Sequence, residues 1–189
     1  MRLFELFDKP LDYKLMATRS DTNHGEKDHT YGFRVGEFMY KVYINVYPMS
    51  SFDDDKDVQD NDIELPWQFY NSANQHKHIM TIDFGQFDYG TMVIPRKGEV
   101  EVGKGEERTG REGTGNELQV FATVAKIAQD FYNEHKNYIG AIEYGAKESD
   151  PNRKRMYDTM MRKFGISGER VEFADLADVG RQTRVLIVL

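Results

Sequence analysis

Residues 110–136, GREGTGNELQVFATVAKIAQDFYNEHK, decide how the rest of the chain is read. Leu118, Phe121, Val124, Ile127, Ala128 and Phe131 recur at three- and four-residue steps, the period of an amphipathic helix. Gly113-Thr114-Gly115 lie just ahead of it, and Asn116 is a good N-cap, because its side chain can accept from a first-turn amide. A loop of small residues running into free helix amides can hold phosphate oxygens. Glycines before a helix also make ordinary turns, and the stretch alone does not decide between the two.

Downstream, Tyr138-Ile-Gly-Ala-Ile-Glu-Tyr144 reads as a short strand. Ser149-Asp150-Pro151 then opens a second helix, Asn152–Phe164, with proline at the first helical position. Met156, Tyr157, Met160, Met161 and Phe164 form its apolar side, and Gly165 stops it. Arg153, Lys154, Arg155, Arg162 and Lys163 read as a solvated face. Two strands follow, Arg170–Ala174 and Thr183–Leu189, joined by a polar turn around Asp178-Val179-Gly180.

Upstream, residues 1–30 read as a peripheral arm and loop, and residues 31–189 as one domain. Leu3, Phe4, Leu6 and Phe7 suggest a short amphipathic turn, and the polar stretch Ala17–Asp28 shows no period. His24 and His29 are placed there as surface residues. From Tyr31 the pattern turns strand-like. Phe38, Tyr40, Val42, Ile44 and Val46 alternate with Met39, Lys41, Tyr43, Asn45 and Tyr47 until Pro48. Residues 63–70, with Trp67 and Phe69, and 78–84 are further strands, and 91–95 and 99–102 suggest a hairpin around Lys97-Gly98. The first half is thus expected to be a meander of mostly antiparallel strands.

Two places invite a metal reading. Asp53, Asp55, Asp57 and Glu64 match positions one, three, five and twelve of an EF-hand loop. Val58 stands where glycine is needed, Asp60 where an apolar residue packs, and strands flank the loop, so a solvated acidic loop is the better reading. His76 and His78, two apart, would share one side of a strand, but no third ligand can be named. No metal site is expected.

The 189 residues carry a net charge of -7, which argues against a broad nucleic-acid grip. A hydrophobic content of 39% and an aromatic content of 13% suit a folded domain with a sizeable core. No cysteine is present, which excludes disulfides, thiolate nucleophiles and cysteine-ligated metals. The first fifteen residues carry charges throughout and resemble neither a signal peptide nor a span, so a cytoplasmic location is expected.

The order of strands, glycine loop, helix, strand, helix and two strands resembles the second half of the GNAT N-acetyltransferase superfamily. In that family a loop of pattern Arg/Gln-x-x-Gly-x-Gly/Ala opens a helix and holds the pyrophosphate of acetyl-CoA. Gly110-Arg111-Glu112-Gly113-Thr114-Gly115 keeps both glycines, with Gly110 in place of Arg/Gln. The family's later helix reads Asn-x-x-Ala-x-x-Leu-Tyr-x-Lys-x-Gly-Phe. The stretch Asp150–Gly165 keeps a capping residue, Met156-Tyr157 for Leu-Tyr, and a Lys-Phe-Gly ending, with Arg153 at the alanine and longer spacing after the tyrosine. The resemblance covers about residues 78–189. GTGNELQVFATV together with SDPNRKRMYDTMMRKFG also looks like GNAT-like proteins of tailed phages, whose setting would be a host cytoplasm or a virion.

The resemblance implies an α+β fold: a central, mostly antiparallel, twisted sheet with two main helices in the C-terminal half. It implies acetyl-CoA as cofactor and direct acyl transfer to a small-molecule or protein amine. The amides of Gly113, Thr114, Gly115 and Asn116, with Arg111, would hold the phosphates. Splayed strands would present the thioester, and Tyr157 would be the acid that meets the departing thiolate. Tyr157 reads equally as a core tyrosine. For the base, only carboxylates near strand ends, such as Asp83 or Glu143, can be named. The alternative from another class is a catalytically silent GNAT-fold protein serving a phage structurally or binding a phage or host protein. A nucleic-acid contact through Arg153–Arg155 is opposed by the net charge, and no membrane partner is expected. An enzyme should present an open V between the strand before Gly110 and the strand 138–144. A structural module should have that cleft filled by its own aromatics or by the 96–112 segment.

Overall fold

A computed structural model describes residues 10–21, 26–36, 38–54, 76–87, 117–147, 151–163, 165–175 and 182–189. Four strands come first: β1 (Tyr13–Asp21), β2 (Glu26–Val35), β3 (Phe38–Pro48) and β4 (His78–Phe87). Helix α1 (Glu117–His135) leads to β5 (Ile139–Lys147), and helix α2 (Pro151–Lys163) leads to β6 (Glu169–Asp175) and β7 (Gln182–Val188). The strands form one seven-stranded sheet in the order β1-β2-β3-β4-β5-β7-β6. Every neighbouring pair is antiparallel except β4 and β5, which run parallel. A parallel pair cannot be closed by a hairpin, and here the intervening chain includes α1.

The period of two in β3 does what alternation demands. Tyr40, Val42, Ile44 and Val46 are buried, and face the same core as Met80, Ile82 and Phe84 of β4 and Ile142 and Tyr144 of β5. Val124, Ile127, Ala128 and Phe131 of α1 complete that core, with Met156, Tyr157 and Met160 of α2. Each large aliphatic side chain withdrawn from water stabilises the fold by ~1.5–3 kcal/mol. On the sheet's other face, Ile79, Ala141, Leu186 and Val188 meet Met49 and Phe52 of a 3₁₀ turn (Met49–Asp54) and Phe173 in a second, smaller core.

The end of α2 follows the sequence closely. Gly165 takes the left-handed φ of 65°, its amide donates to the Arg162 carbonyl, and the Ile166 amide reaches back to Met161. That pairing caps the last carbonyls in the manner that makes glycine the favoured stop.

The structure corrects several expectations. Ala17–Asp28 is not simply a loop, and position 30 is no boundary between loop and strand. Residues 13–21 and 26–35 are the strands β1 and β2, paired from Tyr13–Phe33 to Asp21–Glu26. β1 lies at the sheet's edge and carries a bulge between Leu15 and Ala17, and Leu15 and Met16 are 54% and 48% exposed. A mostly exposed strand with a bulge has no period of two to detect. The Tyr31–Tyr47 run is two strands, turned at Gly36. His29 is half-buried, its ring edge-on to Phe131, so it is not a solvated surface residue. Leu118, placed on the apolar stripe of α1, is exposed. The expected strands 63–70, 91–95 and 99–102 lie outside the described residues, as do the acidic loop beyond Asp54, His24 and the N-terminal turn.

Candidate functional site

The irregularity in the sheet is a fork. β4 and β5 pair from His78–Ile139 to Thr81–Glu143 and no further. Beyond that point β4 continues to Phe87 against β3, and β5 to Lys147 against β7. Among the described residues, the edge of β4 that faces the fork carries backbone groups without a strand partner, and carbonyls on it draw donors from side chains.

Two come from α2. The Tyr157 hydroxyl donates to the Ile82 carbonyl at 3.3 Å, and Arg153 Nη2 donates to the Phe84 carbonyl at 2.7 Å. The match is geometric. Residues four apart on a helix rise ~6 Å along one face, and residues two apart on a strand rise ~6.6 Å along one edge. Arg153 also lies over the Phe84 ring, 4.6 Å from its centre, and its Nη1 stands 3.7 Å from Asp83 Oδ1. Tyr157 is fully buried, tilted against Tyr144 at 5.2 Å and edge-on to Phe84 at 6.2 Å. So Arg153, read from sequence as part of a solvated face, is half-buried in the fork.

Tyr144 anchors the outer side of α2. Its hydroxyl donates to Asp158 Oδ1 at 2.7 Å, and Arg170 bridges Asp158 at 3.0 Å and Glu172 at 2.6 Å. Burial, and then the Asp158 carboxylate, push the Tyr144 phenol well above its ordinary range, so it stays a proton donor at any physiological pH.

The face of the sheet away from the helices carries a different assembly. Glu143, 5% exposed, accepts from the Tyr47 hydroxyl at 2.5 Å and from Arg184 Nε. Arg184 in turn lies over the Phe173 ring at 4.9 Å. Strand register puts Asp28 opposite Asn45, Asn45 opposite Thr81 and Thr81 opposite Glu143, a polar row across β2, β3, β4 and β5. All four line a cleft of about 460 Å³, along with Tyr47 and Arg184. The two residues that end the β4–β5 pairing are thus part of its wall.

Of the residues singled out by sequence, Tyr157 lies at the fork, and Glu143 at its base. Asp83 is on β4, exposed, accepting from the Phe84 amide at 2.7 Å. Arg111, Gly113, Thr114, Gly115 and Asn116 lie outside the described residues; α1 begins at the next position, Glu117. His76 stands in the turn before β4, so it does not share a strand face with His78. Among the described residues no three His, Asp or Glu side chains gather as metal ligands.

A histidine grouping at the end of α1 had no sequence signal. His29 lies 6.2 Å from His135, His135 lies 5.3 Å from Tyr138, and Tyr138 lies 5.4 Å from His78, ring centre to ring centre. His29 Nε2 and His78 Nδ1 are buried without a hydrogen-bond partner among the described residues. Burial, and then His135 and Lys27, lower the His29 pKa; burial and Lys27 lower that of His78.

No family model, curated protein or solved structure matches the chain. No helix among the described residues is long and apolar enough to cross a membrane.

Proposed function

We propose that this chain is an acetyl-CoA-dependent N-acyltransferase of the GNAT type. The observation that carries the reading is the fork: a parallel β4–β5 pair, hydrogen-bonded through Thr81–Glu143 and parted beyond it. The GNAT resemblance calls for an open V between the strand before Gly110 and the strand 138–144, and the parting of β5 from β4, the described strand that precedes the glycine loop, supports that reading. An extended pantetheine arm carries amides that need backbone partners, and the β4 edge is where this reading places them. The Ile82 and Phe84 carbonyls are each engaged by one side chain, and a carbonyl has a second lone pair to offer.

Acetyl-CoA supplies an acyl group activated as a thioester; its transfer forms a C–N bond, breaks the C–S bond, and moves one proton off nitrogen and one onto sulfur. The first-turn amides of α1, with the loop 110–116, are the phosphate-holding candidates. Tyr157 holds a proton at the fork and is the donor for sulfur. Glu143, at the fork's base, takes part in receiving the amine and its proton. Calorimetry with acetyl-CoA tests the reading. Micromolar binding to the native chain, abolished in Gly113→Glu, is expected; a folded protein that binds no acetyl-CoA sinks it.

One observation favours the second reading, a catalytically silent GNAT-fold protein that serves a phage structurally or binds a phage or host partner. The Tyr157 hydroxyl is wholly enclosed and engaged by a backbone carbonyl, with Phe84, Tyr144 and Arg153 packed around it. In that case Tyr157→Phe leaves partner binding intact and there is no turnover to lose.

A further inference from the structure

We propose that β1 is a self-association edge, along which two copies of this chain pair antiparallel about a two-fold axis at Leu15 and join their sheets into one. The inference is independent of the acyltransferase reading and holds equally for the catalytically silent alternative.

The edge itself is the first argument. β1 ends the sheet on one side, and among the described residues no strand lies beyond it. Its outward backbone donors and acceptors are a template for another strand. Its centre is apolar: Leu15 and Met16 are two of the three exposed large hydrophobic residues among those described. They cover both faces of the edge. Leu15 is opposite Tyr31, which packs on the helix-covered core, while Met16 lies over Gly32 on the other face.

The register is the second. In an antiparallel pair built on a two-fold axis, directly opposite residues lie on the same face, so only alternate registers are open. Positions along β1 are counted here by their partners on β2, which allows for the bulge. A pair centred on Leu15 then sets Leu15 against its twin, and Asp12 of each copy against Arg19 of the other. The two neighbouring registers are repulsive. One puts Lys14 on its own twin; the other puts Lys14 against Arg19 and Asp12 against Asp21. A further slip, centred on Thr18, joins Lys14 to Asp21 but leaves Leu15 facing Ser20. Asp12, Lys14 and Arg19 are all exposed, and opposite charges across a strand pair stabilise it while like charges oppose it. Arg19 stands opposite Asp28 of its own β2, but a guanidinium has five donors and can reach a second carboxylate. Only the Leu15 register combines an apolar centre with opposite charges at both ends.

The sheet's other edge lacks this complementarity. β6 carries Glu169, Glu172 and Asp175, and its one arginine, Arg170, is bridged to Asp158 and Glu172. An isologous pair uses β1 of both copies, so the assembly closes as a dimer and does not extend into a chain.

Sedimentation equilibrium of the full chain from ~10 to ~200 μM is the test, since a strand edge buries less than a standard interface and calls for high concentration. The expected result is a mass that rises towards twice that of the monomer, with association weakened by salt. Asp12→Arg and Arg19→Asp, both at exposed positions, should each weaken dimerisation about tenfold, because each sets like charges at both ends of the pair. An equimolar mixture of the two variants should recover the native affinity, since each end of the mixed dimer again joins opposite charges. Leu15→Ser should weaken association by about the same factor without lowering the thermal midpoint of the monomer. A native chain that stays monomeric at ~200 μM overturns the inference. So does a dimer indifferent to both charge reversals, or a pair of weakened variants that mixing fails to rescue.

Discussion

The two sides of the fork solve the same problem, polar groups left where two strands part, by opposite means. On the helix-covered side one element does it: Arg153 and Tyr157, four residues apart on α2, reach two carbonyls two residues apart on β4. On the other side Glu143 of β5 is held by Tyr47 of β3 and Arg184 of β7. The first arrangement is local and neutral acceptors are at stake; the second joins three strands around a charge. Losing a partner on the second side leaves a buried carboxylate uncompensated, which costs far more than an underused carbonyl. The comparison teaches that losing one partner on the helix-covered side costs little, while the other side depends on each of its partners.

The largest effect expected from that contrast is on stability. Arg184→Ala should lower the unfolding free energy by about 3 kcal/mol or more, measured by urea denaturation, since Glu143 keeps its burial and loses its cation. A loss under about 1 kcal/mol would mean that the Glu143 site relaxes freely, and the contrast would collapse. Next in size, Tyr157→Phe should reduce acyl transfer about a hundredfold, ~2.7 kcal/mol in barrier height, while changing stability by only ~1 kcal/mol. Unchanged turnover in this variant would remove the phenol from the chemistry and leave it as packing. Arg153→Ala should cost about 1–2 kcal/mol in stability, through the Phe84 carbonyl and the stacked ring.

The smallest effect separates the fork from the far end of the core. His29 and His78 have folded pKa values lowered from 6.5, chiefly by burial. Their contribution is full above the unfolded value of 6.5 and is lost as pH falls from there through the lower folded values, because the unfolded chain then binds more protons. Stability should therefore decline below about pH 6.5 in the native chain. His29→Phe should flatten that decline, measured as denaturation midpoints from pH 7 to pH 5. An equally steep decline in the variant would place the titration elsewhere.

Much of the fold was legible because its periods are regular. α1, α2, β3, β4 and β5 each carry a stripe or alternation that packing then satisfied, and Gly165 closes α2 as its sequence promises. β1 escaped because an edge strand needs no alternation and its bulge breaks the count. The site was legible only where it is local. Tyr157 stood out on its helix, but Arg153 was indistinguishable from its solvated neighbours until Phe84 was placed beside it. Tyr47 and Glu143 are 96 residues apart, and Glu143 and Arg184 are 41 apart, so no motif could join them. Only strand order brings them together.

The parallel pairing of β4 and β5 also has a consequence in time. Tyr13–Phe33 through Val35–Phe38 are short-range hairpin contacts, whereas His78 meets Ile139 only after the chain has gone through α1. Contacts that close long loops form late, since their entropy must be met before they reward the chain. The β1–β4 meander is expected to gain amide protection early in refolding, and β5 later, in pulse-labelled hydrogen exchange. Since Glu143 contributes to the base of the fork, a chain emerging from synthesis would have no complete fork until β7, bearing Arg184, had arrived.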